Sequence, residues 1–406
     1  MSGQTQRERF WNWANYEDPH DIPAWGDWVG PYEFWLKQGM PPMSERYQTR
    51  GGAFQYMVDL WNFEGAYSAF WGTSRVPVNI GLFPGFTPEI LEESEMHVIK
   101  RMGDGTICKE MKNPNSTLIA QEYLSYPLVG PENWKDFRDT QLNPNHPGRY
   151  PEESVWAALK GAWRDRDYIL TIDGGSFYGN VRNWMGVENI SYAFYDHPEW
   201  MHEVMDYLAD FYIQVLSRAL QEVDVDIALF WEDMCFKNGP LISPDMFREF
   251  LLKPYQKVTS FLERNGVKLS FVDCDGNIEA LIPLWLEGGV RGFYPLERAS
   301  GMDPLPLLQQ YEKDKILLWG NVDKRELAKS KTDIDRELER LRPAAEKGGF
   351  IPLVDHGVPE DIPYDNYCYY TARRKDQFSI REIPRKDKTD CLDLIQKETV
   401  RKKGKE

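Results

Sequence analysis

Residues 268–294 decide the fold, and they read KLSFVDCDGN, IEALIPLWLEGG and VRGFY. An apolar run, KLSFV (268–272), is followed by two carboxylates, Asp273 and Asp275, and a helix-like segment then leads to a second apolar run, VRGFY (290–294). A buried strand, a helix and another buried strand form a βαβ unit, whose two strands are parallel. The stretch therefore predicts a parallel sheet with a polar strand end at Asp273.

The same alternation repeats along the chain beyond about residue 165. The other apolar runs are YILTI (168–172), DIALF (226–230), KILLW (315–319) and FIPLV (350–354), with two earlier candidates, IPAW (22–25) and VPVNI (76–80). Helix-like segments lie between them, such as residues 198–223 and 243–266. Eight strands at this chain length predict an α/β fold, a (β/α)₈ TIM barrel. A doubly wound open sheet is the alternative, but no Gly-x-Gly-x-x-Gly sequence follows a strand.

The remaining segments are assigned around that barrel. We predict one barrel domain over residues 1–380 with an N-terminal extension, and a charged tail over 381–406. Residues 85–150 fit the alternation poorly, and within them HVIKRMGDGTICKEM (97–111) has a Gly-Asp-Gly turn between two strand-like runs. Such a turn is typical of a β-hairpin. We therefore expect residues 85–150 to be an insertion near the barrel mouth.

Composition limits the classes of function. The net charge of −16 over 406 residues argues against nucleic-acid binding, which favours a basic surface. The five cysteines are scattered and odd in number, which is not typical of a disulfide framework. The polar start and the lack of a long apolar run predict a cytoplasmic protein without a membrane span. The 15 Trp, 21 Tyr and 20 Phe either pack the core or line an aromatic pocket.

Polar side chains follow nearly every predicted strand, where barrel enzymes place their chemistry. They are Asp173, Glu232, Asp233, Asp273, Asp275, Glu297, Asn321, Asp323, Asp355 and His356. Any one of them is readily explained as a helix cap or turn residue. Carboxylates that converge, however, raise each other's pKa and can supply a general acid, or they can bind a cation. We select Asp273, Asp275, Glu232 and His356 as catalytic candidates, and the same four as alternative metal ligands.

A second set of residues is predicted to bind substrate. Tyr178 lies within GGSFYGN (174–180), and Arg182 follows it. Their phenol and guanidinium groups could bind an anionic substrate. A tight turn into a helix explains the stretch equally well. The other substrate candidates are Asp173, Trp25, Trp28 and Asn321. Cys235 and Cys274 also follow strands and could join His356 at zinc, but neither CxxC nor HExxH spacing is present, so packing is the simpler explanation.

Several longer motifs resemble those of the uroporphyrinogen decarboxylase superfamily. They are GPLISPDMFREFLLKPY (239–255), IEALIPLWLEGGVRGFYPLE (278–297), LLWGNVDKREL (317–327) and VDHGVPEDIPYDNY (354–367). The resemblance implies a (β/α)₈ barrel with the active site at the carboxyl ends of its strands. It does not decide the reaction, because the superfamily contains both decarboxylases and corrinoid-dependent methyltransferases.

Two departures from the family patterns narrow the choice. True uroporphyrinogen decarboxylases carry an N-terminal Arg-Gln-Ala-Gly-Arg signature that binds the substrate's acid groups, whereas residues 25–41 read WGDWVGPYEFWLKQGMP and contain no arginine. Thiol-methylating members bind zinc through His-x-Cys and a later cysteine. Aligned on Gly276-Asn277, this chain has Asp273 and Asp275 at the first pair and Asp355-His356 after the last strand.

The leading hypothesis from the resemblance is a corrinoid-dependent methyltransferase. It would move a methyl group from a small O-methyl substrate, such as a methoxylated aromatic, to the cobalt of a corrinoid protein, its expected partner. Zinc is a further candidate cofactor, and a homodimer is compatible with the sequence. One alternative is a decarboxylase acting on a smaller carboxylate. The other is a barrel that binds a tetrapyrrole or corrinoid without chemistry.

Overall fold

The structure, a computed structural model, describes residues 4–48, 52–66, 74–112 and 121–382. The predicted tail, 381–406, lies outside these residues except for its first two positions. The strands are β1 (Trp25–Gly26), β2 (Gly65–Ala66), β3 (Glu89–Glu93), β4 (His97–Arg101), β5 (Ile107–Met111), β6 (Gln121–Ser125), β7 (Thr171–Gly175), β8 (Ile227–Trp231), β9 (Cys235–Phe236), β10 (Gly239–Pro240), β11 (Leu269–Asp273), β12 (Gly292–Tyr294), β13 (Leu317–Val322) and β14 (Phe350–Val354).

Helices lie between and around these strands. They are α1 (Gln6–Ala14), α2 (Tyr32–Leu36), α3 (Gly52–Leu60), α4 (Pro131–Gln141), α5 (Glu153–Trp163), α6 (Tyr178–Met185), α7 (Val187–Asp196), α8 (Pro198–Glu222), α9 (Pro244–Met246), α10 (Leu252–Arg264), α11 (Ile282–Glu287), α12 (Pro304–Gln310), α13 (Lys324–Leu327), α14 (Lys331–Lys347) and α15 (Tyr364–Gln377). None of the helices in the described ranges has the length and apolar composition needed to cross a bilayer.

Six strands form a parallel sheet in the order β14-β13-β12-β11-β8-β7. All residues of β11 and β14 are buried, which explains why their sequences are continuous apolar runs rather than alternating ones. β1 and β2 form a separate parallel pair. Single parallel bridges, Val29 with Val358 and Arg75 with Thr171, lie near the two edges of the large sheet. The predicted α/β class is confirmed, while closure of eight strands into a ring stays a prediction.

Three predicted elements differ from the observed ones. VPVNI (76–80) is not a strand, since only Arg75 before it makes a bridge. Conversely, β2 (Gly65–Ala66) is a strand in a stretch where the sequence has no strand signal. β7 begins at Thr171 rather than at Tyr168, because the Leu170 N–H donates to the Asp226 carboxylate (2.9 Å). A π-helical turn, Phe247–Leu251, interrupts the helix predicted over 243–266. Pro254 lacks the N–H that a regular helix would need there.

The predicted hairpin is confirmed as β4 and β5, which pair antiparallel from His97–Met111 to Arg101–Ile107. β3 and β6, which the sequence did not predict as strands, extend it to a four-stranded antiparallel sheet that we call the meander, β3 to β6. Arg149 is almost fully buried and anchors the segments on either side of the meander. Its guanidinium donates to the carbonyls of Asn79 and Gly81 (2.9 and 3.0 Å) and to those of Gln141 and Asn143 (2.9 and 2.7 Å).

A buried charged group ties β1 to β14 and α15. Arg374 donates to the carbonyls of Trp25 (2.5 Å) and Pro352 (3.1 Å), and lies 3.8 Å from the Asp27 carboxylate. Asp27 accepts from the Val354 N–H (2.7 Å) and the Tyr367 hydroxyl (2.8 Å). The side chains of Asp27 and Arg374 are fully buried, so each charge depends on the other for compensation.

We predict that Asp27→Asn destabilises the fold strongly. The substitution leaves Arg374 as an uncompensated buried charge, which costs about 3–5 kcal/mol. The free energy of unfolding, measured by urea denaturation, should fall by that amount. The matched change Asp136→Asn, on the exposed surface of α4, should have an effect below about 0.5 kcal/mol. Equal stability of the two variants would contradict this role for Asp27.

Candidate functional site

Strand register places the candidate site at the carboxyl edge of the six-stranded sheet. Asp273 at the end of β11 pairs with Trp231 of β8 and Tyr294 of β12, so these three side chains lie at one level of the sheet. One layer below, Phe271 stacks on Trp319 with ring centroids 4.0 Å apart. Apolar rings thus support a layer in which an acidic side chain lies between two aromatic ones.

Three carboxylates converge at this edge. Asp233 follows β8, and Asp273 and Asp275 come from the end of β11. Each offers a carboxylate oxygen within 4.8 Å of those of the other two. Asp233 has a positive φ of 40°, an uncommon conformation for a non-glycine residue. The sequence therefore correctly indicated that strand-end carboxylates meet, although Asp233 was not among the residues selected as catalytic candidates.

The crowding leaves Asp275 as an acid that titrates near neutral pH. Burial and the neighbouring carboxylates of Asp233 and Glu297 together raise its pKa to about 7, against the opposing effect of Lys324 and Arg182. Its Oδ1 is buried and has no hydrogen-bond partner among the described residues. Burial also raises the pKa of Asp273 well above its usual range, with Asp275 contributing. A protonated carboxyl group is thus favoured in this cluster.

His356 lies beside that acid. Its Nε2 is 3.5 Å from Oδ2 of Asp275, and its ring is 5.0 Å from that of Trp28 in an edge-to-face arrangement. Burial lowers the pKa of His356, and Lys324 lowers it further. At neutral pH the imidazole is therefore mostly uncharged, so it can exchange a proton with Asp275 rather than form a permanent ion pair.

A second layer of charges surrounds the three carboxylates. The Lys324 ammonium lies 3.8 Å from both Glu297 and Asp355. Glu297 also accepts from the Gly276 N–H (2.9 Å), which orients the loop that carries Asp275. Arg182 donates to the carbonyl of Asp233 (2.5 Å). Lys324 was not selected from the sequence, and its only signal was its position directly after β13 and Asp323.

The side chain of Glu232, expected to be a catalytic acid, does not join these carboxylates and lies at the start of α6. Its fully buried carboxylate accepts from the backbone N–H groups of Phe177 (2.9 Å), Tyr178 (2.7 Å) and Gly179 (2.9 Å) at the start of α6. The hydroxyls of Ser176 and Tyr255 also donate to it. With its oxygens occupied, Glu232 is placed to cap α6 rather than to meet a substrate or a metal ion.

Three predicted substrate residues are also placed in the interior. Asn321 is fully buried, and its amide nitrogen donates to the carbonyls of Leu296 and Met302, both at 2.8 Å. Tyr178 is fully buried and stacks on Phe194. Trp25 is 3% exposed and packs on Trp319, with ring centroids 4.6 Å apart. These three side chains support the site instead of lining it.

Three other substrate candidates remain accessible near the carboxyl edge. Trp28 is partly exposed beside His356. The Arg182 guanidinium lies over the ring of Trp231 at 5.3 Å from its centroid. Asp173, at the end of β7, is ion-paired with Arg75, a residue that the sequence did not point to because the strand after it was misplaced. Cys274 is buried and its Sγ accepts from the Met234 N–H, so it packs behind the carboxylates.

Comparisons with known proteins agree with the motifs. Residues 181–376 match the family model described as "Uroporphyrinogen decarboxylase (URO-D)". This match agrees with the resemblance to that superfamily predicted from the motifs. Among curated relatives, uroporphyrinogen decarboxylase from Ruthia magnifica subsp. Calyptogena magnifica is 25% identical over 62% of this chain and 68% of its own. The enzyme from Sodalis glossinidius (strain morsitans) is 26% identical over 45% of this chain and 50% of its own.

A solved structure is similar over a longer range. A methyltransferase from Methanosarcina mazei matches 92% of this chain and 99% of its own, with a TM-score of 0.57 and 16% sequence identity. At that identity the likeness shows a shared fold. The matching family model and both curated relatives carry the name of an enzyme.

We predict that Asp275 makes stability depend on pH in a defined direction. Its pKa of about 7 in the folded chain exceeds its ordinary value of 3.8, so the folded state binds the proton more tightly than the unfolded state. Folding stability is therefore lost as the pH rises from about 4 to about 7. Relative to wild type, Asp275→Asn should be progressively stabilised over that window and level off above it.

Calorimetry at a series of pH values measures this difference. Asp136→Asn on exposed α4 provides the control, and its melting temperature relative to wild type should not vary with pH. A constant difference between Asp275→Asn and wild type from pH 4 to pH 8 would contradict the raised pKa.

Proposed function

We propose that this protein is a methyltransferase that moves a methyl group from a small O-methyl substrate, a methoxylated aromatic, to a cobalt corrinoid carried by a partner protein. The observation that carries the proposal is the convergence of Asp233, Asp273 and Asp275 next to His356 and Trp28. This arrangement supplies a proton donor beside aromatic rings. The superfamily and the fold shared with a methyltransferase support it.

The reaction explains the need for an acid. Breaking the methyl–oxygen bond leaves its electron pair on a phenolic oxygen, and free phenols have a pKa of about 10. Asp275 would donate its proton to that oxygen as the bond breaks, and would then be the carboxylate. The corrinoid would supply the electron pair for the new bond to the methyl carbon. His356, 3.5 Å from Asp275, would relay a proton from solvent to the carboxylate for the next turnover.

The same residues would orient an aromatic ring. Trp28 and Trp231 are accessible near the carboxylates, and Trp231 is additionally fixed by the Arg182 guanidinium above its face. A flat ring that stacks against an indole would have its ether oxygen directed to the acid. Such an aromatic pair contributes about 0.5–1.5 kcal/mol to binding beyond the effect of the buried area. Asp233 and Glu297 would help to keep the proton on Asp275, because their carboxylates repel the charged form of that side chain.

Mixing the purified protein with cob(I)alamin as the methyl acceptor and a panel of methoxyarenes tests the proposal. We expect methyl transfer to cobalt, with a rate that falls as the pH rises through about 7. Asp275→Asn should lower kcat by about 10²-fold or more and remove that pH dependence, because general acid catalysis typically contributes 10²–10⁴-fold. Asp136→Asn should retain full activity. No demethylation across a broad panel would refute the proposal.

Decarboxylation of a small carboxylate is the second candidate. The family model and both curated relatives carry the name uroporphyrinogen decarboxylase. Arg182 and Lys324 are cations near the acid, so a substrate carboxylate could be oriented there while an acid protonates the developing carbanion. The porphyrinogen itself is disfavoured, because residues 25–41 contain no arginine. Release of CO₂ without a corrinoid would favour this candidate over methyl transfer.

Zinc is a separate proposal for the same carboxylates. Asp233, Asp273 and Asp275 would hold the ion, and His356 is near enough to join them, whereas Glu232 has its oxygens occupied. This is an oxygen-rich donor set, which suits a hard cation better than a thiolate site does. A bound ion would supply Lewis acidity to the leaving oxygen. Metal analysis of the active protein distinguishes a zinc site from a proton donor. Stoichiometric zinc in wild type that is lost in Asp273→Asn would assign the carboxylates to the metal ion instead of to proton donation.

A further inference from the structure

A groove lies at the opposite end of the sheet from the candidate site. It has a volume of about 380 Å³ and is bounded by α10, by the residues at the start of β11 and by the turn after α11. Pockets of roughly 300–1,000 Å³ are typical of small-molecule sites. Its lining includes Lys268 and Ser270 at the beginning of β11 and Arg291 just before β12. The groove is therefore independent of the carboxylates at the carboxyl edge.

Arg291 provides a positive charge in the groove wall. Its guanidinium is partly buried, and one nitrogen, Nη1, donates to the carbonyls of Ala14 (3.0 Å) and Lys315 (2.8 Å). Within residues 4–48, 52–66, 74–112 and 121–382, no carboxylate forms an ion pair with it. Burial accordingly lowers the pKa of Arg291. Its Nε and Nη2 donors remain for a ligand.

Ser270 and Lys268 add donors at the same wall. Ser270 is only 6% exposed, lines the groove, and its hydroxyl has no hydrogen-bond partner in the described part of the chain. Lys268 is exposed and forms no ion pair with any described residue. On the facing helix, the Ser260 hydroxyl is likewise without a described partner. The groove therefore presents hydroxyls and two cations, none of them bonded to a described carboxylate, which are available to an anionic ligand.

The carboxylates of the groove lie on its rim. Glu263 and Asp314 are exposed, and Glu287 is bonded to Arg248 at 2.7 Å. They would accept hydrogen bonds from hydroxyl groups on the organic part of a ligand. Leu286 and Val290 contribute the apolar lining between the rim and the floor. The groove thus combines a cationic floor with a rim of acceptors.

We propose that this groove binds the phosphate group of a small hydroxylated phosphate ester. Arg291 and Lys268 would neutralise the phosphate, the guanidinium through parallel N–H donors, and Ser270 and Ser260 would donate to its oxygens. The ester's hydroxyl groups would meet the carboxylates at the rim. This site goes beyond the methyl-transfer proposal and does not depend on it, because it shares no residue with the carboxyl edge.

Calorimetric titration of the full chain at constant ionic strength tests the site with two probes, glycerol 3-phosphate and inorganic phosphate. We expect saturable binding to wild type. Lys268→Gln and Ser270→Ala should each weaken it by about tenfold or more, since a hydrogen bond to a charged group contributes about 1.5–3 kcal/mol. Lys268 is exposed and unpaired, so its substitution should leave the melting temperature without ligand unchanged.

Lys37→Gln, at the exposed residue that follows α2, removes the same charge away from the groove and should bind both probes as wild type does. Tighter binding of glycerol 3-phosphate than of inorganic phosphate supports an ester as the ligand, and equal affinities assign the groove to phosphate itself. Absence of saturable binding of either probe, or equal weakening in Lys268→Gln and Lys37→Gln, would overturn the proposal.

Discussion

The buried carboxylate of Glu232 fixes the geometry on which the candidate site depends. It joins three elements, because it follows β8, caps the first turn of α6 and accepts from Tyr255 of α10. A charged acceptor surrounded by donors tolerates little displacement, since each lost contact leaves a buried polar group unpaired. Asp233 is the next residue in the chain, and Arg182 of α6 bonds to its carbonyl. The position of the acidic cluster is thus determined by a residue that does not belong to it.

Neighbouring carboxylates at this edge have opposite roles for a simple electrostatic reason. Glu232 is surrounded by N–H and O–H donors, which oppose the rise in its pKa that burial causes. Asp275 has carboxylates as neighbours and one oxygen without a hydrogen bond, so the neutral form is favoured there. The partners of a carboxylate therefore decide whether it joins structural elements, as Glu232 does, or favours its neutral form, as Asp275 does. The residue type after the strand does not show which of the two it is.

That distinction also sets the limit of prediction from the sequence. Continuous apolar runs identified β8, β11 and β14 within a residue or two, and the parallel arrangement implied that their polar ends meet. The partners of each side chain depend on loops whose path the pattern does not specify. Asn321 has φ of 64°, and its amide turns to neighbouring carbonyls. Lys324 was overlooked because a single basic residue at a helix start has no periodic signal, and Arg75 because the strand after it was misplaced.

Arg149 allows the meander to tolerate more sequence change than the rest of the chain, because it fixes the segments on either side of it. One guanidinium holds the carbonyls on both sides of the inserted strands, at residues 79 and 81 and at 141 and 143. Because the ends are fixed through backbone atoms, the sequence between them can change without altering the junction with the sheet. Both edge strands, β3 and β6, are exposed throughout, so substitutions there meet few packing constraints. The meander can therefore change in sequence while the carboxyl edge of the large sheet stays intact.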